Sequence, residues 1–503
     1  MSAPGIIALV AHRKSAESPA SIAFPLRPLQ EIFALNPAFA PITPADLALF
    51  QSILPQGRVL TEAEHLHRCA ADHTEDLHHP PEVVLEPDSP EQISAILRHC
   101  HAQRIPVTAR GAGTGLSGGA LALHGGVVLD MRRMNRILHI DTANFQVVTE
   151  PGVITQVLQE AVLAHDLMYP PDPASRGSCF IGGNVAENSG GPRAVKYGVV
   201  KDYVLNLEVV LPSGDIIWTG ANTLKNSTGY NLTQLLVGSE GTLGIVTKIV
   251  LRLIPAVRHN LLLLAPFRNA VDACRAVNDI LLTGITPSAL EFMERDALLF
   301  SMQHNPGNTI PLPDNIAAHL LIEVDGNDEA ALYAQMEQIG ALLEAQHDCG
   351  ELLFADTAAQ KETLWLLRRK VGEAVKSHSI YKEEDTVVPR AELPRLLETV
   401  KALGREYGFQ SVCYGHAGDG NLHVNILRGD MPEDRWRNEL PKGIRRLFEE
   451  VAKMGGTISG EHGIGLVQKS YLDVVFSEAH MNIMRSIKQV FDPNGILNPG
   501  KIF

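Results

Sequence analysis

The sequence predicts an α+β fold divided into two or three domains, and three observations carry that expectation. At 503 residues the chain is too long for one hydrophobic core. From Pro81 to about residue 255, short apolar strand signals alternate with helical ones and are punctuated by glycine-rich turns. Beyond 255 the glycines thin out, and longer helices stand among strands such as Leu320 to Val324. Its 45% apolar and 20% charged residues are the composition of an ordinary globular protein.

Taken in order, residues 1–75 read as a helical lead-in with Pro44 to Leu54 as its clearest helix. Ahead of it, Ser2 to Ala23 sets Arg13 and Lys14 against the single acid Glu17, faintly like a transit peptide but without a basic amphipathic repeat. Glu82 to Leu85 is a strand. Ser89-Pro90-Glu91-Gln92 then opens a helix, because Ser89 can cap, Pro90 suits the first helical position and Gln92 can complete a capping box. Ile93, Ile96, Leu97 and Cys100 follow at helical spacing and should share a buried face. Strands Ile105 to Ala109 and Gln146 to Thr149 come next, the second followed by a helix around Val157 to Ala164. Asp356 to Ser377 reads as one long helix, and Asp492 to Lys501 as a turn-rich tail.

The formal charge of −14 repels phosphate backbones and argues against a nucleic acid partner. Six cysteines lie far apart with no C-x-x-C pair, a spacing that fits neither an iron–sulfur cluster nor a disulfide scaffold and suggests a reduced compartment. No apolar run reaches the roughly 18–20 residues a membrane helix needs.

Three glycine-rich segments hang on strand ends between residues 110 and 246. Arg110 to Gly119 holds five glycines in its last nine residues, too many for a stable helix or packed strand. Glycines let backbone N–H groups approach a pyrophosphate closely, although a lone loop of this kind is also an ordinary surface turn. Its spacing is not that of a nucleoside triphosphate loop, and a Rossmann nicotinamide site is disfavoured as well. The second segment joins Pro171-Asp-Pro-Ala-Ser175 to Ser178 through Asn184 and Asn188-Ser-Gly-Gly191. It reads as a long functional loop, with the strand Val204 to Leu211 behind it. The third, Val237 to Val246, ends in a strand. Together they predict an extended ligand wrapped by loops.

In order and spacing these segments resemble the flavin-binding domain of the vanillyl-alcohol oxidase (p-cresol methylhydroxylase) superfamily, over about residues 80–255. The resemblance implies FAD held by Arg110, Gly111, Ala112, Gly113, Thr114, Gly115, Leu116 and Ser117, by Pro171, Asp172, Ser175, Gly182, Gly183 and Asn184, by Glu240, Gly241, Gly244, Ile245 and Val246, and by Asn498 near the end of the chain. Members that link the flavin covalently often carry a histidine in the first loop. Here Thr114 and Ser117 occupy it, so the FAD is expected to be non-covalent.

Among twenty histidines, three stand apart. Asn421-Leu-His-Val-Asn-Ile-Leu427 alternates strictly, which as a strand sends Leu422, Val424 and Ile426 to the core and puts His423 and Asn425 on the other face. Gly415-His416-Ala-Gly-Asp-Gly420 is a turn able to fold His416 back toward His423. Gly460-Glu461-His462-Gly463 offers a carboxylate and an imidazole in backbone with little packing value. Two imidazoles and a carboxylate make a good shell for Zn²⁺, Mn²⁺ or Fe²⁺; hydrogen bonding near loops is the plainer alternative. In the helix expected over 356–377, Arg368 falls inside the stripe of Leu364, Leu367, Val371, Ala374 and Val375, whereas Arg369 and Lys370 fall outside it. An inward guanidinium needs an anion, either an internal acid or a ligand carboxylate.

The motifs around His416, His423, Glu461 and His462 also resemble one branch of that superfamily, containing D-lactate and D-2-hydroxyglutarate dehydrogenases and the flavin subunit of glycolate oxidase. The resemblance covers most of the chain, including Leu497-Asn-Pro-Gly-Lys501. It implies a helical lead-in at 1–75, a PCMH-type FAD-binding domain at 76–255, an α+β substrate and metal-binding cap domain with an antiparallel sheet at 256–470, and a tail at 471–503 returning to the FAD domain. It implies metal ligands at His416, His423 and Glu461, His462 as general base, and Arg368, from Trp365-Leu-Leu-Arg368, on the substrate carboxylate; Asn425 is placed to orient the substrate. The reaction implied is oxidation of a 2-hydroxy acid, with hydride passing to the flavin and electrons to an external quinone, cytochrome, electron-transfer flavoprotein or iron–sulfur subunit. D-Lactate ranks first, D-2-hydroxyglutarate second and glycolate third. Lys382 is the candidate second cation for a diacid, but Asp385 to Arg390 looks closer to the lactate and glycolate members. A homodimer and a cytoplasmic location, or membrane association through a partner, are expected before a mitochondrial one. The rivals are a non-redox flavin alkyl-transfer enzyme and an FAD-binding subunit of a larger complex.

Overall fold

A computed structural model describes residues 39–503; the transit-peptide reading of Ser2 to Ala23 lies outside the described residues. The expected lead-in begins as a helix, Pro44–Ile53, capped by a reciprocal Thr43–Asp46 box. A two-residue strand, Val59–Leu60, and a short helix, Ala63–Arg68, follow, so 44–75 is only partly helical. Ser89 caps the helix Pro90–Gln103 by accepting Gln92 N–H at 3.4 Å. The Gln92 side chain instead accepts from Asp88 N–H at 2.9 Å, so the box is displaced by one residue. Ile93, Ile96, Leu97 and Cys100 are fully buried, as their spacing requires.

Three larger sheets carry the architecture. In the first, Val83–Leu85, Val127–Asp130 and Val107–Arg110 run parallel, with Val59–Leu60 antiparallel on the outer edge. The second is antiparallel, in the order Ile137–Asp141, Gln146–Thr149, Ile245–Arg252, Val204–Val210, Ile216–Trp218. Seven antiparallel strands form the third, in the order Leu353–Ala355, His259–Phe267, Ala318–Gly326, Ala289–Glu294, Gln410–Gly415, Asn421–Leu427, Tyr381–Val387. One face of this sheet buries Leu422, Val424 and Ile426 against a large core that includes Leu396, Val400 and Phe448 from flanking helices. The opposite face buries Val412, Tyr414 and Met293 against Leu364, Leu367 and Val371. The tail returns as expected: Val107 and Leu497 form a parallel bridge, and Lys501 Nζ donates to Leu121 O at 2.6 Å.

Two expectations are corrected by packing. The second glycine-rich segment is not all loop, because Ile181–Glu187 is helical. Ile181 and Val185, four apart, are fully buried, and that burial outweighs the weak helix propensity of Gly182 and Gly183. The long helix expected over 356–377 is two, Ala358–Arg369 and Val371–His378, broken at Lys370, where ψ is −4°. Gly372, in the first turn of the second helix, admits the Tyr414 hydroxyl to within 3.1 Å of where a Cβ would stand. Among the described residues no helix is long and apolar enough to cross a membrane.

Candidate active site

A cavity of about 940 Å³ is lined by all three glycine-rich segments at one end and by Arg368, Tyr414, His416, His423, Glu461 and His462 at the other. The first loop leaves the strand Val107–Arg110 as irregular bends and turns. Gly113-Thr-Gly-Leu-Ser-Gly118 does spell G-x-G-x-x-G, but no helix opens after it, so the context of a Rossmann fingerprint is missing. A Cβ added at Gly115 or Gly183 would meet nothing within 4 Å: these glycines face open cavity. Gly182 is needed for the opposite reason, since its Cβ would lie 3.0 Å from Pro151 O.

Most expected cofactor residues line the wall, but Ser117, Pro171, Asp172 and Asn498 stand behind it. Asn498 Nδ2 donates to Gly119 O at 2.9 Å and Glu240 O at 2.8 Å, tying the first loop to the third. Asp172 accepts from Arg176 at 3.0 Å and Arg369 at 2.9 Å. Arg110 lines the cavity yet donates away from it, to Ala71 O at 2.8 Å. Glu240, at φ +52°, accepts the N–H groups of Ile464 and Gly465, both at 2.7 Å. Burial nevertheless raises its pKa to about 6.

At the far end the polar residues come from different elements: His423 from the strand Asn421–Leu427, His416 from the turn after Gln410–Gly415, Arg368 from the helix Ala358–Arg369, and Glu461 and His462 from a loop. His416 Nε2 lies 3.1 Å, and His423 Nε2 3.5 Å, from Glu461 Oε1. Ligand atoms of these three residues all fall within 4.8 Å of one another. Ligands about 2.0–2.2 Å from a tetrahedral ion stand roughly 3.3–3.6 Å apart, so the donor set fits a divalent cation. Behind it, His416 Nδ1 donates to Glu291 at 2.9 Å, which fixes the tautomer that turns Nε2 inward. Burial favours neutral His416, but the Glu291 and Glu461 carboxylates overcome it and hold its pKa well above the usual imidazole range. Burial would likewise raise Glu461; His416 and its fellow imidazoles bring it down to about 2. Desolvation lowers His423 to about 4, and its Nδ1 has no hydrogen-bond partner, Asp385 Oδ1 standing 3.6 Å away.

His462 stacks on His423 with ring centroids 5.1 Å apart and lies 4.0 Å from Asp385 through Nδ1. Burial opposes its charged form, but Asp385, then Glu383 and Glu461, raise its pKa. Asp385 Oδ2 also accepts the N–H groups of Gly460, Glu461 and His462 at 2.7, 2.7 and 2.9 Å. One buried carboxylate therefore builds the turn that presents Glu461 and His462.

Arg368 is buried, as its place in the stripe predicts, and Nη2 lies 2.7 Å from Glu291. The internal acid is thus real, yet neither Nε nor Nη2 directs an N–H at a partner. Asn425, fully buried on the same sheet face as His423, has both amide atoms unpartnered and does not line the cavity. Lys382 pairs opposite Ile426, on the core face, so it is not the second cation considered for a diacid. Sequence reasoning missed Glu291, Glu383, Asp385 and Tyr414. The available signal for Glu291 was a lone acid inside the apolar strand Ala289-Leu-Glu-Phe-Met.

The backbone-lined cavity suits an extended ligand, and comparison with known proteins identifies the chain as an FAD-linked oxidoreductase. Residues 81–220 match the family described as FAD binding domain, and 256–502 the family described as FAD linked oxidases, C-terminal domain. The D-lactate dehydrogenase of Anaerostipes hadrus is 40% identical over 84% of this chain and 89% of its own length. The D-2-hydroxyglutarate dehydrogenase of Stutzerimonas stutzeri is 35% identical over 92% of this chain and 99% of its own. The solved 4-ethylphenol oxidase from Gulosibacter chungangensis shares the fold, with a TM-score of 0.73 and 20% identity over 91% of this chain and 96% of that one. This chain belongs to the FAD-linked oxidase family, and its cofactor is FAD.

Proposed function

We propose that the protein oxidises a short D-2-hydroxy acid, D-lactate before D-2-hydroxyglutarate or glycolate, to the 2-oxo acid. The reading includes non-covalent FAD, an external electron acceptor, and a divalent ion, Zn²⁺ before Mn²⁺ or Fe²⁺, at His416, His423 and Glu461. The observation that carries it is the meeting of those three side chains at one end of the flavin cavity. FAD, when bound, supplies the two-electron acceptor, and the ion supplies positive charge that lowers the pKa of a nearby hydroxyl.

This chain's residues do the rest. Arg368, whose Nε has no hydrogen-bond partner and whose Nη2 is ion-paired with Glu291 without directing an N–H at it, offers these donors to the substrate carboxylate, a match to guanidinium geometry. His462 takes the hydroxyl proton, and Asp385 and Glu383 stabilise the resulting imidazolium. Among the relatives, both the 40% and the 35% identical proteins bear names of 2-hydroxy-acid dehydrogenases, which supports the reaction class and leaves the substrate to the pocket.

The test is anaerobic titration of the FAD-loaded protein with matched D- and L-2-hydroxy acids, following flavin absorbance. Bleaching by D-lactate, lost on chelation and restored by a divalent metal, is expected. No bleaching by any 2-hydroxy acid would reject the proposal in favour of alkyl transfer or a purely structural FAD subunit.

A further inference from the structure

We propose that Glu383 makes this pocket select 2-hydroxy acids bearing a single carboxylate and turn away those bearing a second; the inference rests on the 2-hydroxy-acid reading above. Strand register fixes where Glu383 points. Opposite Asn421–Leu427, Glu383 pairs with Asn425 and Asp385 pairs with His423, so both acids share the face that carries the cluster. The Glu383 side chain is 9% exposed and lines the cavity. Its Oε1 accepts the Tyr414 hydroxyl at 3.2 Å and lies 3.8 Å from His423 Nδ1.

The Arg368 guanidinium rests over the same tyrosine, 5.0 Å from the ring centre. One tyrosine thus separates an anion-seeking guanidinium from a fixed carboxylate. A substrate with its carboxylate on Arg368 and its hydroxyl at the imidazoles must direct its remaining substituent along a wall that includes Glu383. A methyl group is indifferent to that charge. A second carboxylate, one or two methylenes further out, meets like charge in a partly desolvated site, which is an effective way to reject a competitor. Two neighbouring cations are already paired with acids, Arg369 with Asp172 at 2.9 Å and Lys370 with Glu373 at 2.5 Å, while Lys376 donates to His73 O at 3.3 Å and keeps its charge.

The experiment compares kcat/KM of the FAD-loaded protein for D-lactate, D-malate and D-2-hydroxyglutarate in wild type, Glu383→Gln and Glu383→Lys, with flavin and metal content measured for each. Wild type should prefer D-lactate by about 100-fold or more. Because Glu383 also stabilises the His462 imidazolium, Glu383→Gln should lower kcat for all three acids by a common factor, and beyond that should narrow the ratio by about tenfold through KM for the diacids, with Glu383→Lys narrowing it further. Wild-type efficiencies within threefold of one another, or a preference for diacids, would overturn the inference while leaving the reaction class standing. So would a Glu383→Gln variant that loses all three acids by the same factor and leaves the ratio unchanged, which marks a role confined to His462 or to the fold, or one that loses its metal, which marks a ligand. Failure of all three acids to reduce the flavin would overturn the functional reading and this inference together.

Discussion

At one end of the cavity Gly115 and Gly183 present bare backbone and open space; at the other, the buried His416 and His423 and the half-buried Glu461 and His462 present ionisable side chains whose charges depend on one another. The first end works by what is missing, since any side chain there would intrude on the ligand. The second works by what is gathered, since each group sits in a state that its neighbours impose. Substitutions at the two ends should therefore fail differently. Glycine changes should weaken FAD and spare the proposed ion, and cluster changes should do the reverse.

Glu461→Gln gives the largest expected effect. It removes the carboxylate both imidazoles face, so kcat should fall by about 10³-fold or more with loss of bound metal, while flavin content stays at the wild-type value. A drop in FAD binding as large as the drop in metal would erase the distinction between the ends. Arg368→Lys should lower kcat/KM by about 100-fold, because a single ammonium cannot form two parallel hydrogen bonds to a carboxylate; stopped-flow flavin reduction with normal FAD and metal content is the check. Gly183→Ala should weaken FAD by about tenfold, yet stabilise the FAD-free protein by about 0.5–1 kcal/mol, as a helical glycine replaced by alanine does. Fluorescence titration and thermal unfolding, measured on the same sample, would show whether the two effects part as expected.

A control for the charge argument lies in the third sheet. His319 is buried with an unpartnered Nδ1, and desolvation lowers its pKa to about 4. The unfolded chain protonates this imidazole first, so stability should be intact above pH ~6.5 and decline as pH falls toward 4. The loss should be about 3 kcal/mol by pH 4, and His319→Leu should flatten that part of the curve in denaturant titrations. His416 runs the other way because it has two carboxylates and His319 has none.

The sequence exposed the two ends to different depths. Glycines clustered from 110 to 119 and 237 to 246 announce backbone-lined space by composition alone, and the alternation of 421–427 put His423 on the correct face. The inward turn of Arg368 followed from helical spacing even though the helix breaks at Lys370. Glu291 and Asp385 were out of reach because their work is tertiary. Glu291 joins His416 to Arg368 across strand and helix, and Asp385 gathers three amides 75–77 positions away. The helix Ile181–Glu187 was hidden because core burial of two residues decided it against local propensity.

The most direct measurement is anomalous diffraction from crystals of the metal- and FAD-loaded protein, collected on either side of the metal edge. The account predicts one anomalous peak about 2.0–2.3 Å from His416 Nε2, His423 Nε2 and a Glu461 oxygen, facing the flavin ring. No peak there, or one bound elsewhere with the three side chains still paired to each other, would contradict it.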